Sequence, residues 1–378
     1  MLCARRRSAV AAAAVLLTFS AGSQAIADDK PAEPKIDVTG HVDWYYMMNF
    51  NHPAAGSTMA ARAFDVKSDQ FALAVGQVNI VKPITEKSPL GFTANITVGK
   101  TADLFHLTEP GGFNTYKYFQ QLYGSFKTGP VQIDAGKWTT FAGYEVTESY
   151  LNDNYSRGLL YLLGPYYHMG VKASMPVGTK LTVLAALMNG WNNVEDDNGG
   201  KTYGVQLNFK PTDKVNLILN YIGGDEGSQT ANPQPATGAL FGGIGFPAAG
   251  ILNTHFLDFV GTWQVTPKLK LATQVDYGTA SKPGNGSGTW AGYGLWAKYQ
   301  ATDRLGAAIR LENFEDHGGL RSGATQNLHS LTLSLDFASH ANLLHRLEYR
   351  RDKAGVTGFF GSAGNSQDTF TFSQVIKF

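Results

Sequence analysis

Cysteine is almost missing from this chain: one among 378 residues, at Cys3. It stands before an apolar stretch, Ala9 to Ala21, that follows Arg5, Arg6 and Arg7 and runs to Ala25-Ile26-Ala27. That order is a secretory leader with its small-residue cleavage site. The mature chain is expected to start at Asp28, as residues 28–378 without residues 1–27, and Cys3 leaves with the leader. Disulfides, a lipid-anchored thiol and thiol catalysis are thereby excluded from the remainder. Past the leader no run of about twenty apolar residues occurs, so no transmembrane helix is expected. Charge is scarce too, at 16%. Without the three leader arginines, 28 basic residues face 30 acidic ones. Phosphate backbones need a net basic face, so nucleic acid is excluded as a partner. HExxH, clustered His or Cys, a phosphate loop and a serine framed by glycines are all absent. No catalytic residue, metal or cofactor is expected. His329-Ser330 and Ser339-His340 are adjacent in the chain, but nothing places an acid with either pair.

What the chain does have is glycine (43 residues), aromatics (12%) and alternation. Segments of period two recur at Val38–Met48, Phe71–Val81, Gly91–Lys100, Tyr116–Lys127, Val131–Trp138, Tyr166–Met175, Leu181–Asn189 and Lys201–Lys210. They continue at Val215–Ile222, His255–Val265, Leu269–Tyr277, Trp290–Tyr299, Arg304–Asn313, Leu328–Phe337, Leu343–Arg351 and Thr369–Phe378. In the last of these, Phe370, Phe372, Ile376 and Phe378 oppose Thr369, Thr371, Ser373 and Lys377. Strict alternation over such lengths marks strands with one apolar and one polar face. In lipid every amide must be paired internally, which only helices and closed barrels achieve.

The connections alternate short and long. Short ones, such as Pro176 to Lys180 and Thr266-Pro267-Lys268, carry turn chemistry. Long ones include Asn49–Asp69, Thr101–Thr115, Thr139–Pro165 and Gly223–Thr254, the last a Gly-, Pro- and Thr-rich surface excursion. About 350 residues remain after the leader, about 22 for each of sixteen strands, enough for roughly ten to cross a membrane. The expectation is an all-β chain: a transmembrane antiparallel barrel of about sixteen strands, with short periplasmic turns and long extracellular loops. Aromatics at strand ends, Trp44-Tyr45-Tyr46, Tyr123, Phe126, Tyr166-Tyr167, Trp263, Trp296 and Tyr299, are expected as interfacial girdles.

Parity assigns the polar face. With Leu305, Ala307, Ile309 and Leu311 outward, Arg304, Arg310 and Glu312 point inward. With Leu347 and Tyr349 outward, Arg346, Glu348 and Arg350 do so. With Leu271, Val275 and Tyr277 outward, Lys270, Gln274 and Asp276 follow. A charge facing lipid at mid-depth costs roughly 2–4 kcal/mol, which favours this placement. Arg310, Arg346 and Arg350 form a basic wall interleaved with Glu312 and Glu348. Two readings of it stay open: a ring of fixed charge that selects solutes, or neighbours that neutralise one another. Lys137 receives no face from parity. Asn152-Asp153-Asn154 offers oxygens to Ca²⁺, but three adjacent residues lack the alternating donors of a calcium loop.

The stretch Asp134-Ala135-Gly136-Lys137-Trp138, Phe141 to Glu145, Asn152-Asp153-Asn154-Tyr155-Ser156-Arg157-Gly158 and Gly164-Pro165-Tyr166-Tyr167-His168-Met169-Gly170-Val171-Lys172 is the most distinctive. It resembles the OmpL-like β-barrel porins of Gram-negative outer membranes. The resemblance implies a pore for passive diffusion of small hydrophilic solutes or ions, surrounded by outer-membrane lipid and assembled as a homo-oligomer, typically a trimer. By analogy with porins, the loop Thr139–Pro165, with Glu145, Glu148, Asp153 and Arg157, is a candidate constriction. An extracellular cap is the alternative for that loop. A non-conducting structural or adhesive barrel is the alternative for the whole chain.

Overall fold

The computed structural model describes residues 34–54, 58–107, 109, 116–196, 198–226, 253–282, 286–361 and 363–378. The expected leader, residues 1–27, and most of the excursion Gly223–Thr254 lie outside the described residues. Sixteen antiparallel strands close into one barrel in which each strand pairs with its sequence neighbours and the first pairs with the last. They are β1 Asp37–Asn49, β2 Gln70–Lys82, β3 Leu90–Val98, β4 Phe119–Thr128, β5 Val131–Thr139, β6 Tyr167–Val177, β7 Leu181–Met188 and β8 Thr202–Thr212. The second half comprises β9 Val215–Gly224, β10 Thr254–Thr266, β11 Leu269–Lys282, β12 Gly286–Gln300, β13 Leu305–Asp316, β14 Gln326–His340, β15 Leu343–Ala354 and β16 Ser366–Lys377. Closure leaves no open sheet edge, which is what a lipid environment requires. At the seam Gly40 and Phe378 exchange two backbone hydrogen bonds of 3.0 Å.

Alternation is visible in burial. On β16, Gln367, Thr369, Thr371, Ser373 and Val375 are buried, while Phe370 and Phe372 between them are half-exposed. On β14, Leu333, Leu335 and Phe337 are exposed and Thr332, Ser334 and Asp336 are buried. The apolar face therefore points out and the polar face in, the reverse of a soluble domain and the arrangement lipid demands. Arg304 departs from its expected place: β13 begins at Leu305, and Arg304 lies exposed in the preceding turn. The girdle is corrected in part. Trp263 and Tyr299 are about half exposed on the outer face, but Tyr45, Tyr166, Tyr167 and Trp296 are buried inside. They pack against loops that enter the barrel.

Those loops give the interior a core of its own. Two short helices, α1 Lys100–Phe105 and α2 Leu159–Leu163, belong to the second and third long loops. Phe64, Phe105, Trp138, Leu160, Leu162, Tyr166, Trp290 and Trp296 belong to one buried apolar cluster. Phe105 and Tyr166 stack with centroids 5.7 Å apart. Interior-facing positions near the short turns remain open: Gln206, Asn208, Asn216 and Lys298 are half-buried and Lys210 is exposed.

Candidate functional site: the inward loop and the charged wall

The loop from Thr139 to Pro165 crosses the barrel interior and is hydrogen-bonded to inward side chains around most of its circumference. Leaving β5, Gly143 donates its N–H to Asp258 on β10 at 3.1 Å, and Tyr144 its N–H to Gln274 on β11 at 2.8 Å. Glu145 accepts from Arg310 on β13 at 2.7 Å. Glu148 accepts from Gln77 on β2 at 3.2 Å and from Gln120 on β4 at 3.0 Å. Ser149 donates to Asp43 on β1 at 2.6 Å. The returning limb donates the N–H groups of Tyr155 and Ser156 to Glu348 on β15 and that of Leu160 to Glu312 on β13. Buried backbone amides need partners, and here the barrel wall supplies them.

The five wall residues, with Lys270 and Asp276, make seven inward-facing candidates, and the loop bonds all five of the wall. Arg310, Glu312, Arg346, Glu348, Arg350 and Asp276 are each at most 4% exposed. Arg310 bonds the Ser156 carbonyl and Thr332 Oγ1 as well as Glu145. Arg350 donates to Asp352 at 2.8 Å and to the carbonyls of Arg157 and Ala61. Arg346 grips Asp336 through Nε and Nη2 and the loop carbonyls of Ser149 and Asn152 through Nη1 and Nη2. Guanidinium suits this work because its planar fork donates in several fixed directions and stays charged. Arg157 folds back to the Tyr155 carbonyl at 2.8 Å, its guanidinium 4.8 Å from the Phe64 ring.

The seventh, Lys270, is different. Its side chain is 34% exposed and reaches Asp153 at 2.7 Å. Lys298, its register partner on β12, is 22% exposed and bonds Asp336 at 3.0 Å. Lys172 on β6 is 17% exposed and stands 3.6 Å from Asp134. In each pair the acid is the more buried partner, at 3–10%. What meets water is ammonium. Sequence reasoning missed Lys172, Lys298 and the buried Arg62, whose Nη1 bonds Asp65 at 3.0 Å within the first long loop. For Lys298 the signal was its parity opposite to Tyr293, Leu295 and Tyr299, which face outward on the same strand.

Lys137 is held by contacts rather than by parity: it is buried, donates to the Phe119 carbonyl at 2.6 Å and meets His106. Burial, helped by the neighbouring ammonium, lowers the His106 imidazole to a pKa of about 3, so it is neutral. The oxygens of Asn152 and Asp153 have other duties, and Asn154 is held through its amide nitrogen. Asn152 closes onto Val146, Asp153 takes Tyr144 Oη and Lys270, and Asn154 donates to Ser334. No metal-competent cluster is present among the described residues.

Ser339 faces a histidine, although not the adjacent His340. His345 Nε2 lies 2.8 Å from its Oγ on the outer wall. A nucleophile needs that nitrogen bare. Trp44 Nε1 donates to Gln374 Oε1 at 3.1 Å, which orients the amide so that Gln374 Nε2 donates to His345 Nδ1 at 3.2 Å. An imidazole accepting at Nδ1 carries its proton on Nε2 and donates to Ser339. The serine is thus not activated.

A closed sixteen-stranded barrel with an apolar exterior, short turns at one end and a long loop clamped inside it defines a porin: an outer-membrane channel for passive diffusion of small hydrophilic solutes or ions. The chain belongs to the family described as "Putative beta-barrel porin-2, OmpL-like", whose model matches residues 35–378. Its place is the outer membrane of a Gram-negative bacterium, and family and fold point to a channel rather than an enzyme. No curated protein sequence matches it. Solved structures share the fold at low identity. The outer membrane channel DcaP of Acinetobacter baumannii has TM-score 0.59 and 9% identity, over 92% of this chain and 98% of that one. An anion-selective porin from Comamonas acidovorans has TM-score 0.57 and 10% identity, over 91% and 99%. OmpT of Vibrio cholerae, described in a trimer form, has TM-score 0.57 and 9% identity, over 91% and 99%.

Proposed function

We infer that the loop Thr139–Pro165 is the constriction of this channel and that the arginine wall is its clamp. The observation that carries this reading is the bonding of one loop to inward residues of β1, β2, β4, β10, β11, β13, β14 and β15. Acidic loop and basic wall are in contact, so they neutralise each other instead of facing across open water. Charge left for the solute comes from Lys172, Lys270 and Lys298. Lys270, Lys298 and Arg346 stand against Asp153 and Asp336, one positive charge in excess, with the lysines as the exposed members. Fixed charge at a narrow point selects by sign, so small anions are the favoured solutes. The trimer form described for OmpT of Vibrio cholerae supports a homotrimer as the assembly.

Planar-bilayer recording of the purified protein tests this. Ohmic steps are expected, and deletion of residues 146–151 raises the step size. Equal steps with and without the deletion overturn the constriction. The apolar cluster among the loops supports a second reading, a non-conducting barrel whose loops bind partners. Absence of current from folded protein selects it.

A further inference from the structure

The outer wall carries a polar arrangement where lipid contact predicts only apolar side chains. Leu305, Phe337, His345, Gln374 and Trp44 are successive register partners across β13, β14, β15, β16 and β1, and form one row close to the short-turn end. His345 lies between Phe337 and Phe372, with ring centroids 5.9 and 6.4 Å away. Along this row a directed chain of donors runs from the Trp44 indole through Gln374 and His345 to Ser339 Oγ. The indole can only donate, so the direction is fixed at its source. Ser339 Oγ accepts the last hydrogen bond, and its own hydroxyl hydrogen is left to donate outward.

Beside this chain is a groove of about 540 Å³, lined by Leu305, Ala307, Leu335, Phe337, Leu347 and Phe372. Its size falls in the range of small-molecule sites. Ala307 makes it deep, being small among larger neighbours. At its short-turn end Arg304 is exposed, its carbonyl accepting the Ala338 N–H at 2.9 Å. No ion pair to the Arg304 side chain is present among the described residues. His340 is exposed nearby.

We propose that this groove is a binding site for one glycerophospholipid of the periplasm-facing leaflet, with an acyl chain along Ala307 and the phosphate held by Ser339 Oγ and the Arg304 guanidinium. Charge and polarity follow the ligand: apolar along the strands, cationic and donor-rich at headgroup level, where basic pockets recognise lipid phosphates. A polar donor chain facing hydrocarbon is costly unless its last donor is used. A phosphate oxygen at the interface uses it. Free inorganic phosphate supplies the same oxygens but nothing for the groove.

Native mass spectrometry of the full-length protein in detergent, supplied with phosphatidylglycerol, tests the site. The wild type is expected to keep one lipid per chain after activation strips the micelle. Ser339→Ala and Arg304→Ala should each lower that occupancy several-fold, and Ala307→Trp should abolish it by filling the groove. Arg351→Ala, at the far end of the outer wall, should leave it unchanged. Heat-modifiable gel mobility identifies folded barrels, and Ala307→Leu serves if the tryptophan blocks folding. Equal retention by all variants, or none by the wild type, overturns the proposal. Protection by inorganic phosphate without lipid retention also overturns it.

Discussion

The Glu348 carboxylate, directed inward from β15, accepts the backbone N–H of Tyr155 at 2.6 Å, from a loop 193 residues earlier in the chain. The same carboxylate takes the Ser156 N–H at 3.1 Å and the Ser334 hydroxyl at 2.9 Å. Three donors converge on one buried anion. Hydrogen bonds to charged groups contribute about 1.5–3 kcal/mol each. Glu348→Gln keeps the size and discards the charge. The expected result is a folded barrel whose loop fluctuates: noisier open-channel current and faster protease cleavage between residues 146 and 157. A quiet, protease-resistant variant would remove Glu348 from the clamp.

Selectivity should follow exposure rather than the count of cations. Arg310 and Arg350 are 0% exposed, whereas the Lys270 and Lys298 side chains meet water. In a KCl gradient the wild-type reversal potential should indicate anion preference. Lys270→Gln combined with Lys298→Gln should move it toward cations, since the pair then leaves Asp153 uncompensated. Arg350→Ala should instead lower the melting temperature, because Asp352 keeps its charge and is left with only Arg62, 3.7 Å away, as a buried partner. A larger reversal shift from Arg350→Ala than from the lysine pair would invert this assignment.

Acidity should tighten the extracellular end. Glu226, just beyond β9, accepts the Trp191 N–H at 2.7 Å and the Thr202 hydroxyl. Burial outweighs those donors and raises its pKa from 4.5 to about 7. Between these values the folded chain binds more protons than the unfolded one, so stability falls as pH rises from about 4.5 to about 7 and is lowest above it. Thermal unfolding in detergent should therefore show a higher midpoint at pH 5 than at pH 8. Glu226→Gln should flatten this part of the profile. An unaltered slope in that variant would clear Glu226 of responsibility.

How far the chain could be read depended on which neighbour each side chain met. Lipid imposes period two directly, so Phe370-Thr371-Phe372-Ser373 announces a strand and both its faces. Parity likewise put Arg310, Arg346 and Glu348 inside. It says nothing of what else is inside. Tyr45, Tyr166 and Trp296 read as interfacial rings because strand ends were taken to meet headgroups, yet Tyr166 and Trp296 join the cluster of Phe64 and Leu159–Leu163, and Tyr45 packs with Met59 and Tyr155. Five apolar residues in succession, Leu159-Leu160-Tyr161-Leu162-Leu163, within a supposedly aqueous loop were the readable sign of a buried one. The pairing of Ser339 with His345 rather than His340 had no such sign, since a strand pairing brings them together.

A steric test separates the clamp from electrostatics. Gly158 closes the returning limb of the loop, its N–H donating to Glu145 at 2.5 Å. A Cβ built there would lie 2.1 Å from Glu312 Oε1 and 2.4 Å from Oε2. The backbone at Gly158, with φ −76°, is one that any residue adopts, so the need for glycine is entirely one of space. Glu312 cannot retreat freely, because Arg310 Nε lies 2.9 Å from its Oε2 and the Leu160 N–H is 3.2 Å from its Oε1. Gly158→Ala should thus push the loop off the wall while leaving every charge in place. Overpacking of this kind costs roughly 1–3 kcal/mol. Gly124→Ala, where no atom lies within 4 Å of the added carbon, is the matched control. The expected outcome is a lower melting temperature and noisier conductance for Gly158→Ala, with wild-type behaviour for Gly124→Ala. Indistinguishable recordings from the two variants would mean that the loop does not depend on close contact with Glu312, and the clamp would have to be sought elsewhere along the wall.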